Sequence, residues 1–329
     1  MRRIFICSAF LALLITLIPS PGAKPALASC GSANCFLVTG TQEGIAEPGG
    51  ITMDLSYRWI PQDQVHKGSH SSDVASVPAI DFENGLILPN HHQEIRTNNE
   101  LMQLDVTVGV TTKSALTLAV PFFNDRRHEH IDDGTFSNTG GTSGFGDIRL
   151  LGKYALLVST RHLLVGGVGI KFPTGEYKLL DPEGAIGEPT LMPGSGSWDG
   201  LASLYYSYQI LPHELDGFVS TSYQYTTENP LDYQLGSTWI VNAGASYRLT
   251  EKIVTSLQVN ARQAPHDDYK GQTVSNTGGR WIYITPGARV QASPNTALYA
   301  HVQLPIYQYV NEANLVPRYG LIFGVSHVF

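Results

Sequence analysis

The chain has 329 residues, of which 42% are hydrophobic and only 15% are charged, and it contains 33 glycines and 16 tyrosines. This length suits either one large barrel or two soluble domains. No apolar run of about 18 residues follows the amino-terminal region, which excludes a helical membrane span. A membrane-spanning form of this chain must therefore be a closed barrel, because an open sheet leaves unpaired backbone edges in lipid.

The amino terminus has the three parts of a secretory signal peptide. A basic pair, Arg2 and Arg3, precedes an apolar core and an Ala-Leu-Ala sequence that ends at Ala28 and fits the small-x-small cleavage rule. We therefore predict a signal peptide over residues 1–28. Its removal, which also takes away Lys24, changes the formal charge from −7 to −10. Such an acidic mature chain argues against nucleic acid as a partner.

Two cysteines follow the predicted cleavage site. Cys30 and Cys35 would meet an oxidising compartment, which favours a local disulfide between them. The sequence around Cys30 also resembles a lipoprotein box, so a lipid on this residue is the alternative. We expect residues 29–50 to form a periplasmic segment and residues 51–329 to form the barrel.

From Ile51 onward, alternating apolar and polar segments are joined in turn by short turns and by long polar connections. Short turns at 111–114, 211–215 and 293–296 are the clearest. Bacterial outer-membrane barrels have this asymmetry, with short turns at the periplasm and long loops outside. The predicted fold is all-β, a transmembrane antiparallel up-and-down β-barrel of about 12 strands in the outer membrane of a Gram-negative-type bacterium. The predicted strands are about 51–60, 98–110, 115–127, 145–157, 163–176, 200–210, 216–228, 235–249, 253–265, 280–292, 297–309 and 319–329.

The last eleven residues, 319–329, alternate between large apolar residues and the small residues Gly320, Gly324 and Ser326. Alternation of this kind marks a strand with one apolar face. An aromatic final residue resembles the assembly signal of outer-membrane barrels. We expect this strand to close the barrel by pairing with the strand at 51–60.

Two motifs lie close together in the middle of the chain. Gly144-Phe145-Gly146-Asp147 opens one predicted strand, and Lys171-Phe172-Pro173-Thr174-Gly175 ends the next. This pair resembles the outer-membrane channel family assigned to the meta-pathway of phenol degradation. The resemblance implies a barrel that takes up small and often hydrophobic compounds.

Strand parity assigns a set of charged residues to the lumen, together with Tyr299 and Tyr307. The predicted lumen then contains six basic residues and two acidic residues. One interpretation is a plugged interior in which the charges pair, because a lone buried charge is costly. The other is a narrow, water-filled pore that favours anions. The predicted pore-lining residues are Asp105, Asp147, Arg149, Lys153, Lys171, Arg248, Arg262, Arg289 and His301.

Imidazoles and carboxylates also gather beyond the outer ends of the second and third predicted strands. A hairpin about the turn at 111–114 places Thr97 opposite His128, Ile95 opposite His130 and His92 opposite Asp133. Such side chains are ligands for zinc, copper or nickel. A solvated polar rim is the alternative. The predicted ligands of a divalent transition metal at the extracellular rim are His92, Glu94, His128, His130 and Asp132.

Prolines recur along the outward-running strands, at Pro121, Pro173 and Pro305. Proline removes a ladder donor and belongs at edges, kinks or bulges. We expect these residues to lie where strand pairing loosens above the membrane. The alternative is that the kinks open the wall sideways for an apolar solute.

The sequence therefore predicts an outer-membrane channel for passive diffusion of small solutes, either hydrophobic or anionic. The alternative is a non-conducting barrel that binds a metal ion or a partner protein through its His-rich extracellular loops. No G-x-S-x-G or comparable nucleophile signature occurs, so we expect no catalysis, and no cofactor apart from the metal. The predicted partners are outer-membrane lipid and a small solute, and the sequence leaves the solute and the oligomeric state open.

Overall fold

The computed structural model describes residues 45–181 and 184–329. The predicted signal peptide, the Cys30–Cys35 disulfide and the alternative lipid on Cys30 concern residues outside these ranges, as does most of the 29–50 segment. Within the described ranges, no helix has the length and apolar character needed to cross a membrane.

Twelve long antiparallel strands dominate the described part of the chain and form a closed barrel, which confirms the predicted fold. In chain order they are β1 (Ile51–Gly68), β2 (Leu86–Thr111), β3 (Ser114–Asp132), β4 (Arg149–Val158), β5 (His162–Lys171), β6 (Asp199–Leu211), β7 (Leu215–Tyr225), β8 (Thr238–Arg248), β9 (Ile253–Ala264), β10 (Gly279–Ser293), β11 (Thr296–Pro317) and β12 (Gly320–Val328). The connections carry short strands at His70–Ser71, Ser76–Asp81, Thr135–Ser137, Thr142–Gly144, Tyr233–Gln234, Asp268–Tyr269 and Gln272–Thr273, and a 3-10 helix at Pro189–Leu191.

The first strand closes the barrel by pairing on both sides. On one side β1 pairs with β2, from Ile51 opposite Val108 to Gln62 opposite Thr97. On the other side it pairs with β12 over eight consecutive positions, beginning with Thr52 opposite Val328. This pairing confirms the predicted closing role of the terminal strand. It also removes the free edge that an open sheet would present to lipid.

Four strands are much longer than a membrane crossing requires. β1, β2, β3 and β11 have 18, 26, 19 and 22 residues, whereas a barrel strand crosses with about 9–11. Beyond the outer end of β12, where that strand begins, β1 pairs directly with β11, from Gln62 opposite Pro317 to Gly68 opposite Val310. The sequence predicts long polar connections before the second and the last of its strands, but the structure forms mostly strand over residues 61–92 and 310–318 there. Their polar composition suggested loops, but a wall above the membrane needs no apolar outer face.

The faces of β11 follow the predicted parity along its first half. Leu298 and Val302 are 50% and 37% exposed, whereas Tyr299 and His301 are 8% and 7% exposed. Alternation in a closed barrel sends the exposed set towards lipid and the buried set into the lumen.

The parity reverses at Pro305. A bulge in the pairing with β10 places Tyr283 opposite Pro305 and Ile282 opposite Tyr307, so Ile306 is the extra residue. An extra residue moves all later side chains to the other face. Tyr307 is therefore 43% exposed on the outer face, and the prediction that it faces the lumen is wrong.

Pro121 lies at an interruption in the wall. The regular pairing of β3 with β4 runs from Ser114 to Ala119 and stops there. It resumes at Asn124 with the short strand Thr142–Gly144. Between these stretches Gly146 N donates to Pro121 O at 2.8 Å. Strand pairing thus loosens at this proline, and the two sides of the wall stay hydrogen-bonded.

The assignment of faces can be tested with arginine substitutions at two depths on the outer face of β11. Val302 is the seventh residue of the strand, near the middle of a ten-residue crossing. We expect Val302→Arg to cost about 2–4 kcal/mol of unfolding free energy in lipid vesicles. Leu298→Arg, the matched control near the periplasmic interface, should cost about 0–1 kcal/mol. Equal costs would contradict the assigned depth.

Candidate functional site

Two cavities occupy the interior of the barrel. The central cavity, of about 330 Å³, is lined by lumen-facing strand residues and by residues 189–190 and 192–195. The inner cavity, of about 650 Å³, extends to the short turn at 159–162 and to Glu251 and Lys252. Tyr299 and His301 line both cavities. The two cavities therefore adjoin at these side chains, one on the short-turn side and the other at the centre of the barrel.

Each of the two junction side chains lies over a glycine on a neighbouring strand. A Cβ atom on Gly324 of β12 would overlap the Tyr299 ring, and one on Gly287 of β10 would overlap the His301 ring. Tyr299 also donates from its hydroxyl to Asp54 Oδ1 at 2.6 Å. Gly324 belongs to the face of the terminal strand that carries small residues in the sequence. Its lack of a side chain makes room for the Tyr299 ring.

The predicted pore-lining residues divide between the two cavities. Arg248 and Arg289 line the inner cavity, and His301 lines both. The remaining six line the central cavity: Asp105, Asp147, Arg149, Lys153, Lys171 and Arg262.

Sequence reasoning missed three charged residues of the central cavity, which are Asp54, Arg58 and Arg126. The alternation of Asp54, Ser56 and Arg58 in β1 is a signal that could have found the first two. With them, six basic and three acidic residues line this cavity within the described part of the chain.

Lys171 pairs with two carboxylates at the end of β5. Its Nζ lies 3.0 Å from Asp147 Oδ2 and 2.7 Å from Asp199 Oδ2. Asp199 also accepts a hydrogen bond from Ser197 Oγ at 2.8 Å. Part of the interior charge is therefore paired, as a buried ion requires. Counting Asp199 with the cavity still leaves more basic than acidic residues.

The connection between β5 and β6 folds over the central cavity, and we call its residues 175–181 and 184–195 the lid. Asn124 Nδ2 donates to Pro193 O at 2.8 Å. Arg126 Nη1 donates to Thr190 O at 2.5 Å and to Met192 O at 2.8 Å. Side chains of β3 thus hold the lid through its backbone carbonyls and keep it inside the barrel mouth.

One carboxylate holds both ends of the lid. Asp147 Oδ1 accepts from Gly175 N at 3.0 Å, and Oδ2 accepts from Ser195 N at 2.9 Å. The aspartate of the first sequence motif thus binds the glycine of the second. Hydrogen bonds to an ionised acceptor are roughly twice as strong as neutral ones. The carboxylate that parity assigned to the lumen also anchors the lid.

A cluster of imidazoles and carboxylates lies above the central cavity. His92 Nε2 is 2.8 Å from Glu188 Oε1 and 3.5 Å from Glu94 Oε1. His128 Nδ1 is 3.5 Å from Glu94 Oε2. One ligand atom from each of the four residues lies within 4.8 Å of the others. We call these four residues the His-Glu cluster.

The register of the β2–β3 hairpin differs from the prediction beyond a bulge. Thr97 lies opposite His128, as predicted, but a bulge follows between Arg96 and Glu94. His130 therefore lies opposite Glu94 rather than Ile95, and His92 lies opposite Asp132 rather than Asp133. A bulge leaves one residue unpaired and shifts the ladder beyond it.

The cluster also differs from the predicted ligand set in the residues that it contains. Asp132 lies outside it and contacts His91 at 3.9 Å. The His130 ring stands beside it, with centroids 5.0 Å from His92 and 5.1 Å from His128. Glu188 is new, because no periodic pattern ties a lid residue to a strand.

The alternative of a solvated polar rim is wrong for the three strand residues of the cluster. The side chains of His92, Glu94 and His128 are at most 8% exposed. The lid residue Glu188 covers them from above.

Charge within the cluster shifts the protonation of its members. Burial disfavours the charged His92 imidazole, but Glu188 and Glu94 outweigh it and raise its pKa to about 10. Burial raises and His92 lowers the pKa of Glu188, with a net fall to about 2. Burial, together with His128 and His92, lowers the pKa of His130. Between these two pKa values, about 2 for Glu188 and about 10 for His92, the two side chains form an ion pair that links the lid to β2.

The family model described as "Putative MetA-pathway of phenol degradation" matches residues 93–310. The chain belongs to this family. The match contains both sequence motifs, the lid and three of the four cluster residues, all but His92. No curated protein matches the chain at a significant level.

Several solved structures are similar to this chain. The COG4313 outer membrane channel from Pseudomonas putida F1 aligns with a TM-score of 0.63 at 14% identity, covering 89% of this chain and 100% of that one. This similarity establishes the shared fold. The NanC porin aligns at 0.44 and 11% identity, covering 84% and 98% of the two chains. The transport unit of the autotransporter AIDA-I from Escherichia coli aligns at 0.49 and 10%, covering 91% and 95%.

The anchoring role of Asp147 can be tested by hydrogen exchange. We expect Asp147→Asn to speed exchange at the Gly175 and Ser195 amides about tenfold or more, because a hydrogen bond to a charged group contributes about 1.5–3 kcal/mol. Asp181→Asn is the matched control, since Asp181 accepts from Ala185 within the lid itself. Unchanged exchange at both lid ends in Asp147→Asn would show that the carboxylate is no anchor.

Proposed function

We propose that this protein is a non-enzymatic outer-membrane channel for passive diffusion of small solutes, with a preference for anions. The observation that carries this proposal is the hollow interior, in which the inner and central cavities share Tyr299 and His301 as lining residues. A barrel with a filled interior would have no such cavities. We infer that solutes pass from one cavity to the other at these side chains, and this path is the proposed route. The similarity of the fold to an outer membrane channel supports the same function.

The preference for anions follows from the charges on the central cavity. Six basic residues and three acidic residues line it, and Lys171 is paired with Asp147 and Asp199. Rings of basic side chains in a narrow pore favour anions, and low-dielectric walls strengthen their field. Small anions therefore fit the basic side chains of this surface best.

The lid controls the outer end of the route. It crosses the mouth of the central cavity and is held by Asn124, Arg126 and Asp147. Passage to the outside then depends on displacement of this segment.

The alternative, a non-conducting barrel, is favoured by the paired charges around Lys171 and by the closed lid. The two functions give opposite results in planar bilayers. A non-conducting barrel shows no channel events at any salt concentration.

Neutralising a central-cavity charge tests anion preference directly. We expect the wild-type protein to conduct with anion preference in a KCl gradient. Arg149→Gln should lower the ratio of anion to cation permeability by about twofold or more, because the cavity loses one positive charge. Lys113→Gln, on an exposed periplasmic turn, is the matched control and should leave the ratio unchanged. Cation preference in the wild type would overturn the proposal.

A further inference from the structure

We propose that the His-Glu cluster, formed by His92, Glu94, His128 and Glu188, is a binding site for a divalent transition-metal ion of the zinc type. This inference does not depend on conduction through the barrel. It rests on donor type, donor spacing, burial and the unused nitrogen atoms around the cluster.

The spacing of the donors already approaches that of a metal site. Ligand atoms about 2.0–2.1 Å from a tetrahedral zinc ion lie about 3.3 Å from one another. The closest donor pairs here are separated by 2.8, 3.5 and 3.5 Å. All four donors lie within 4.8 Å, so their separations would need to shorten by at most about 1.5 Å to complete the coordination shell.

The charge of the cluster matches a divalent cation. Two carboxylates, Glu94 and Glu188, face two imidazoles; the side chain of Glu94 and both imidazoles are at most 8% exposed, and the side chain of Glu188 is 26% exposed. Buried carboxylates need a compensating charge. A divalent ion would compensate both carboxylates. Imidazole and carboxylate together favour zinc, nickel or copper over calcium or magnesium.

Unused nitrogen atoms surround the same point. His128 Nε2 and His130 Nδ1 are buried and have no hydrogen-bond partner among the described residues. Buried polar groups normally have partners. The free nitrogen of His130 can therefore serve as a neighbouring additional donor, whereas His128 would bind the ion through Nδ1, the nitrogen that faces Glu94. Thr97 Oγ1, which lies 2.9 Å from His128 Nδ1, must give up this contact when that nitrogen binds the ion.

The four donors come from different parts of the fold. His92 and Glu94 lie on β2, His128 lies on β3, and Glu188 lies on the lid. A bound ion would therefore fasten the lid to the barrel wall. The metal site thus has a second expected consequence, which is slower opening of the lid.

Calorimetric titration of the refolded full-length protein with Zn²⁺ tests the site. We expect one ion per chain in the wild type and binding at least tenfold weaker in both Glu188→Gln and His128→Ala. Glu188 lies outside the barrel strands, so its substitution leaves the fold intact. His91→Ala is the matched control, because this neighbouring imidazole is half-exposed and outside the cluster. It should bind as the wild type does.

Hydrogen exchange of the lid gives a second readout. At a free Zn²⁺ concentration 100 times the dissociation constant, opening that breaks the site should become about 100-fold rarer. Zn²⁺ should then slow the exchange of amides in 184–194 in the wild type. In Glu188→Gln, Zn²⁺ should leave the exchange rates of these amides unchanged. No Zn²⁺ binding in the wild type, or equal binding in the wild type, Glu188→Gln and His128→Ala, would overturn the proposal.

Discussion

Closure of the barrel between β1 and its two neighbours is the constraint on which the other features depend. Backbone groups in lipid have no water partners, so each strand must pair on both sides. Once the ring is closed, alternation alone sends Val302 outward and Tyr299 and His301 inward. The lumen, its charges and its junction are therefore consequences of closure. Gly287 and Gly324 have no side chains, which leaves room inside the wall for the His301 and Tyr299 rings.

The outer half of the molecule is held together by different interactions. Above the membrane, long polar strands enclose a mouth into which the lid folds, and polar contacts rather than apolar burial hold it there. Asp147 holds both lid ends, and the pair of His92 with Glu188 holds its middle. Transport and metal binding, if both occur, would therefore act on one segment of the chain.

The sequence predicts the strand number, the compartment and most lumen residues, because alternation and turn spacing are local signals. Bulges are not local signals, since they depend on which residues face one another across two strands. The bulge at Pro305 therefore turned Tyr307 outward, and the bulge near Glu94 moved the partner of His130. Glu188 could not be found at all, because the folding of the lid, not a periodicity, brings it to His92.

The central claim is that solutes pass the junction of the two cavities. A cysteine at that junction, His301→Cys, tests it through covalent modification with a bulky, negatively charged thiol reagent during a planar-bilayer recording. The account predicts a stepwise fall in single-channel current in the variant, and no change in the wild type treated in the same way. Complete modification, shown by mass, with an unchanged current would contradict the account.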